Sequence, residues 1–126
     1  MLRKFNPAGV AANPNYSHIA QATGANSITF IAGQIGTRPD NSVPDSFTEQ
    51  VDLVFGKIAM ALESAGHGMG HIAKITAFLT DEADLADYRA AVARHLPTPP
   101  PASSLVFVKA LILPALRVEV EAIAVG

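Results

Sequence analysis

The segment Leu116–Val125 alternates without a break, and that alternation limits the architectures open to the chain. Leu116, Val118, Val120, Ala122 and Ala124 fall on one side of an extended strand, while Arg117, Glu119, Glu121 and Ile123 fall on the other. A strand of this kind buries one face only. Burying two glutamates and an arginine without partners is costly, so the second face is solvent, a pocket or a polar subunit interface. Glu119 and Glu121 are open to two readings. A carboxyl turned away from water suits acid/base chemistry. Alternatively, the pair forms ion pairs with Arg117 or with an arginine of a neighbouring subunit.

The cover for the apolar face is also legible. Phe47, Val51, Val54, Ile58 and Leu62 recur at spacings of four and three, which predicts a helix with one apolar stripe. Ser46 and Glu49 have the spacing of a capping box, and Gly66 suits the helix end. A second helix is expected over 84–96, opened by acidic residues and stopped by the prolines of Pro97–Pro101. Strands are expected over 2–5, 16–23, 27–32, 72–79, 104–108 and 116–125, with a loop over 33–44. Gly24-Ala25-Asn26 reads as a hairpin turn joining the second and third strands. The order β-β-β-α-β-α-β-β predicts an α+β fold, with two helices on one face of a mixed sheet, in a single domain over 1–126.

Hydrophobic residues make up 49% of the 126, against 16% charged, which is rich for so small a chain and predicts burial against identical subunits. The net charge of −2 and nine scattered Lys and Arg give no basic stripe, which argues against nucleic acid. With no cysteine, thiol nucleophiles and thiolate metal sites are excluded. His67 and His71 are four apart, but the glycines around them predict a loop, so no metal site is expected. No cofactor is expected either. No segment reads as a membrane span or signal peptide, so a cytoplasmic protein is expected. The proline run reads as a rigid connector that sets where Ala102, Ser103 and Ser104 enter the next strand. Ser103 and Ser104 lack the elbow and base that a serine nucleophile needs.

Several strings, in order, resemble one family. Tyr16-Ser17-His18, Phe30-Ile31-Ala32-Gly33-Gln34-Ile35, Glu63-Ser64-Ala65-Gly66, Lys74-Ile75-Thr76-Ala77-Phe78-Leu79-Thr80-Asp81 and Glu119-Val120-Glu121-Ala122-Ile123-Ala124 are similar to segments of the YjgF/RidA family, also known as endoribonuclease L-PSP. The resemblance implies a chorismate-mutase-like fold, a homotrimer whose sheets form a central barrel, and small-molecule pockets between subunits. It also implies hydrolysis of reactive enamines and imines. In that activity Glu119 matches the glutamate that positions water, and Tyr16 and Gly33 match pocket residues. At Pro101-Ala102-Ser103-Ser104 the chain departs from the family's "PARS", with Ser103 where the arginine grips the substrate carboxylate. A hydroxyl cannot replace a planar guanidinium, which argues against 2-aminoacrylate as the substrate. Ala32 stands where many members carry serine. Arg89, on the second helix, is a candidate replacement cation for an anionic ligand, or else a surface arginine paired with Asp87 or Glu82. A non-catalytic metabolite-binding or regulatory trimer is the alternative function, ahead of an endoribonuclease or translation inhibitor.

Overall fold

A computed structural model describes all 126 residues. Its strands are β1 (Leu2–Phe5), β2 (Ile19–Ala22), β3 (Ile28–Ile35), β4 (Ile72–Leu79), β5 (Ala102–Phe107) and β6 (Val118–Val125). The helices α1 (Phe47–Ser64) and α2 (Leu85–His95) lie between β3 and β4 and between β4 and β5. The order of elements is the expected one, and the α+β, chorismate-mutase-like arrangement holds.

The main sheet has the order β3-β6-β4-β5. β6 is antiparallel to both neighbours, whereas β4 and β5 run parallel, so the sheet is mixed. The central position of β6 explains its alternation. Val118, Val120, Ala122 and Ala124 are buried under α1, together with Ile72, Ile75, Ala77 and Leu79 of β4. From α1 the stripe Phe47, Val51, Val54, Phe55, Ile58 and Leu62 completes the layer. Ser46 caps the helix by accepting a hydrogen bond from Glu49 N at 3.2 Å.

Two expectations need correction. β2 and β3 do not form a hairpin. β2 pairs antiparallel with β1, with Leu2 opposite Ala22 and Phe5 opposite Ile19, and makes a separate two-stranded sheet. The Gly24 turn, at φ 64°, therefore carries the chain between sheets, and β3 is left with β6 as its sheet partner. The expected loop over 33–44 begins later, because β3 runs on to Ile35. A bulge makes this possible. Ile31 faces Ala122 and Gln34 faces Val120, so Ala32 and Gly33 together stand against the single residue Glu121.

The uncovered face of the sheet carries Phe30, 74% exposed, and Ile28, 61% exposed. Lys74, on the same face, donates to Ser104 Oγ at 2.8 Å. No helix is long and apolar enough to cross a membrane.

Candidate functional site

The expected site residues fall into two groups on opposite faces of the sheet. Ser103 pairs with buried Ile75, so its side chain shares the helix-covered face. Glu119 pairs with Phe78, whose neighbours Ala77 and Leu79 are buried, and so points to the uncovered face.

Tyr16, Arg89 and Ser103 line one cavity of about 300 Å³ between α2, β5 and the loop before β2. Ser17 explains how Tyr16 reaches Ser103 across so much sequence. Its amide donates to Pro101 O at 3.1 Å, and its hydroxyl donates to Pro100 O at 2.7 Å. The stiff proline run thus offers two consecutive carbonyls to one buried serine, and residue 17 bridges to Ala102 like an added strand residue. The loop is braced further by Asn13, whose Oδ1 accepts from Asn15 N at 2.8 Å and from Asn15 Nδ2 at 3.0 Å.

Leu85, Val92, Leu105 and the ring of Tyr88 give the cavity its apolar surface, and Asn13 and Asn15 add polar groups. Arg89 is its only charged lining residue. The ion pairs of the chain are Arg38–Glu49, Arg94–Asp52, His95–Asp52 and Arg117–Asp84, so the reading that paired Arg89 with Asp87 or Glu82 does not hold. On α2, Arg89 lies next to the cavity wall, and those carboxylates stay in water.

The second group is Ala32, Gly33 and Glu119. Gly33 lies under the glutamate side chain, where an added β carbon would stand 2.9 Å from Glu119 Cδ. The bulge and the missing side chain together make a recess in which the carboxylate rests on backbone. Glu119 is half-buried and Glu121 exposed. Arg117 pairs with neither of them. It lies before β6 begins, so the strand's alternation does not yet govern it. Its Nε stands 3.3 Å from Asp84 Oδ2, and its guanidinium lies 5.6 Å from the Phe47 ring centre. The within-chain ion pair once expected for the glutamates is therefore spent elsewhere.

Two features escaped the sequence reading. Tyr88 is 3% exposed and its hydroxyl has no hydrogen-bond partner in the chain. Its spacing from Leu85 and Val92 was the available signal, since three and four residues put all three on one helical face. His67 and His71 are not independent loop side chains. Their rings stack with centres 4.8 Å apart, beside the three-residue 3-10 turn Met69–His71.

Comparison with known proteins accords with this geometry. The family model described as endoribonuclease L-PSP matches residues 8–126. Protein MMF1, mitochondrial, of Saccharomyces cerevisiae is 34% identical over 115 residues, covering 90% of this chain and 79% of that one. Reactive Intermediate Deaminase A, chloroplastic, of Arabidopsis thaliana is 33% identical over 107 residues, covering 83% of this chain and 57% of that longer one. Among solved structures, YyfB of Yersinia pestis, described as a protein of unknown function of the conserved Rid family, superposes with a TM-score of 0.90. It is 25% identical, and the match covers 99% of this chain and 98% of that one. The match to the family model, the identities over most of the chain and the shared fold all agree: the chain belongs to the endoribonuclease L-PSP family, the YjgF/RidA group.

Proposed function

We propose that the protein is a RidA-like homotrimer with small-molecule pockets at its subunit interfaces, in which Glu119 serves as the acid/base group. The observation that carries the reading is the seat of Glu119 on Gly33. A carboxylate lying over a residue without a side chain, beside an uncovered, partly apolar face, supports a role in acting on a ligand that a second subunit encloses. The exposed Phe30 and Ile28 support association through that face. The chemistry suited to a positioned carboxylate is hydrolysis of an imine or enamine, in which Glu119 orients the attacking water and passes on its proton. The kinship to a Reactive Intermediate Deaminase supports the same class.

Ser103 favours the second reading, a metabolite-binding trimer without catalysis. It brings to the cavity a hydroxyl, where the resemblance calls for a guanidinium. Release of ammonia and keto acid from freshly generated 2-aminoacrylate separates the two. Wild type should stay near background, and Ser103→Arg should gain turnover where a neighbouring subunit brings its own Glu119 to the Ser103 cavity. Robust wild-type turnover would overturn the claim that the arginine is needed. A monomer mass in solution would overturn the trimer. Cytoplasmic residence stays part of the proposal. Two of the relatives are mitochondrial and chloroplastic by name, so localisation within the family varies.

A further inference from the structure

Helix α1 has a glycine in its interior that its own packing does not require. Gly56 lies well inside the 18-residue helix, where glycine is destabilising relative to alanine. A β carbon on it would meet no atom of the chain within 4 Å. Instead, Gly56 forms part of the floor of a cavity of about 430 Å³, on the side of α1 turned away from the sheet. Leu53 and Met60 flank it along the helix, and the loop carrying Arg38 and Asn41 makes the facing wall. That wall is fixed by its own bonds. Arg38 N donates to Ser42 O at 2.9 Å and Asn41 N to Arg38 O at 2.8 Å, while Asp40 Oδ1 accepts from Ser42 N at 3.0 Å and from Ser42 Oγ at 2.6 Å. Asn41 takes a left-handed φ of 69°, which asparagine tolerates. A preformed wall lowers the ordering cost of binding.

Arg38, Asp52 and Lys57 bring charge to this cavity, and the first two are already answered. Arg38 pairs with Glu49 at 2.7 Å, and Asp52 Oδ1 holds Arg94 at 2.6 Å and His95 at 2.7 Å. Lys57 has no carboxylate partner. Its ammonium donates to Ile35 O at 2.7 Å and to Thr37 Oγ1 at 2.8 Å, which leaves one N–H and an uncompensated positive charge. Burial lowers its pKa, as expected of a cation short of both water and a counter-ion. Tying the end of β3 to α1 would need only a neutral donor.

We infer that this outer cavity binds a small aromatic oxyanion, with its ring on Gly56 between Leu53 and Met60 and its charged oxygens on Lys57. The bare backbone at Gly56 gives a ring a flat seat. Met60 is 67% exposed at its edge, and a thioether makes favourable contacts with aromatic rings. Charge complementarity selects the anion, because Lys57 is the one lining charge without a partner. The site is separate from the Ser103 cavity and from Glu119, and it goes beyond the function proposed for them.

The test is an NMR titration of the full-length, assembled, isotope-labelled protein, read at the backbone amides of Gly56 and Lys57 so that binding elsewhere is not counted. The probes are benzenesulfonate, the uncharged benzenesulfonamide, and sulfate, which has the charge but no ring. Benzenesulfonate should shift both amides saturably, and each of the other two should bind at least about tenfold more weakly. Lys57→Gln keeps a neutral donor and should weaken benzenesulfonate by about tenfold or more, whereas Lys57→Arg should keep more of the affinity. Gly56→Leu places a good helix former over the floor. It should weaken benzenesulfonate by about tenfold or more without lowering the unfolding temperature. Equal binding of the sulfonamide or of sulfate, indifference to Lys57→Gln or Gly56→Leu, or unmoved Gly56 and Lys57 amides in wild type each overturns the inference. Earlier unfolding of Gly56→Leu also overturns it, because the glycine would then serve the chain's own packing. Ammonia release reads the Glu119 chemistry separately, so either idea can fail without the other.

Discussion

Gly33 lies directly under the Glu119 side chain: the glutamate Cδ lies 2.9 Å from where a β carbon of residue 33 would stand. Gly33→Ala should therefore turn the end of the Glu119 side chain aside, at a cost of about 0.5–1 kcal/mol in stability. The penalty should shrink in a Glu119→Ala background, because the clashing group is gone. A double-mutant cycle by urea unfolding measures this, and additive costs would refute the contact.

Ser17→Ala should loosen the cavity without touching its lining. The variant loses the hydrogen bond to Pro100 O at 2.7 Å and leaves that carbonyl short of a donor. A cost of about 1–3 kcal/mol is expected, together with weaker ligand binding. Thermal unfolding and calorimetry check the two parts, and unchanged values in both would remove the clamp from the account.

Tyr88→Phe should raise stability by about 1 kcal/mol in the absence of ligand, since it deletes an unsatisfied buried hydroxyl. The pH dependence has a definite sign. The phenol's pKa is raised in the folded chain, so the folded state keeps a proton that the unfolded state gives up. Wild type should thus lose stability relative to Tyr88→Phe as pH climbs past the ordinary tyrosine value of about 10. A parallel slope in the two proteins would contradict the burial.

Asp84 offers a second titration at the other end of the scale. Burial raises its carboxyl above the ordinary value, Arg117 opposes the shift, and Asp81 and Asp87 add to it. The folded chain therefore holds this proton more tightly, and the stability it contributes in acid is lost as pH rises through the raised value. The balance between Asp84→Asn and wild type should move in favour of the variant over that rise. Denaturant midpoints across the acid range check the direction.

Periodicity reported α1 and β6 well because each meets one environment along its whole length. The buried stripe from Phe47 to Leu62 and the alternation from Val118 to Ala124 both repeat the geometry of the layer they face. Pairing of β2 was less legible. Its turn at Gly24 looks like a hairpin locally, and only the register with Leu2–Phe5 shows where its hydrogen bonds go. The grouping of Tyr16, Arg89 and Ser103 was legible as a list but not as a place. Their meeting depends on Ser17 holding carbonyls more than 80 positions away. Tyr88 was hidden for a simpler reason, since a tyrosine on an apolar stripe looks the same whether or not its oxygen finds a partner.

The serine–proline clamp also decides how this pocket can be altered. Residues 13–17 and 100–103 are fastened to each other more directly than either is to the helices, so they behave as one part made of two pieces of chain. Exchanging either piece alone with a relative's breaks the fastening and moves Tyr16 against Ser103. Exchanging both carries the wall across intact. The wall that carries Tyr16 and Ser103 is thus transplantable only as a pair of distant segments, and a residue-by-residue conversion of that wall would pass through misaligned intermediates.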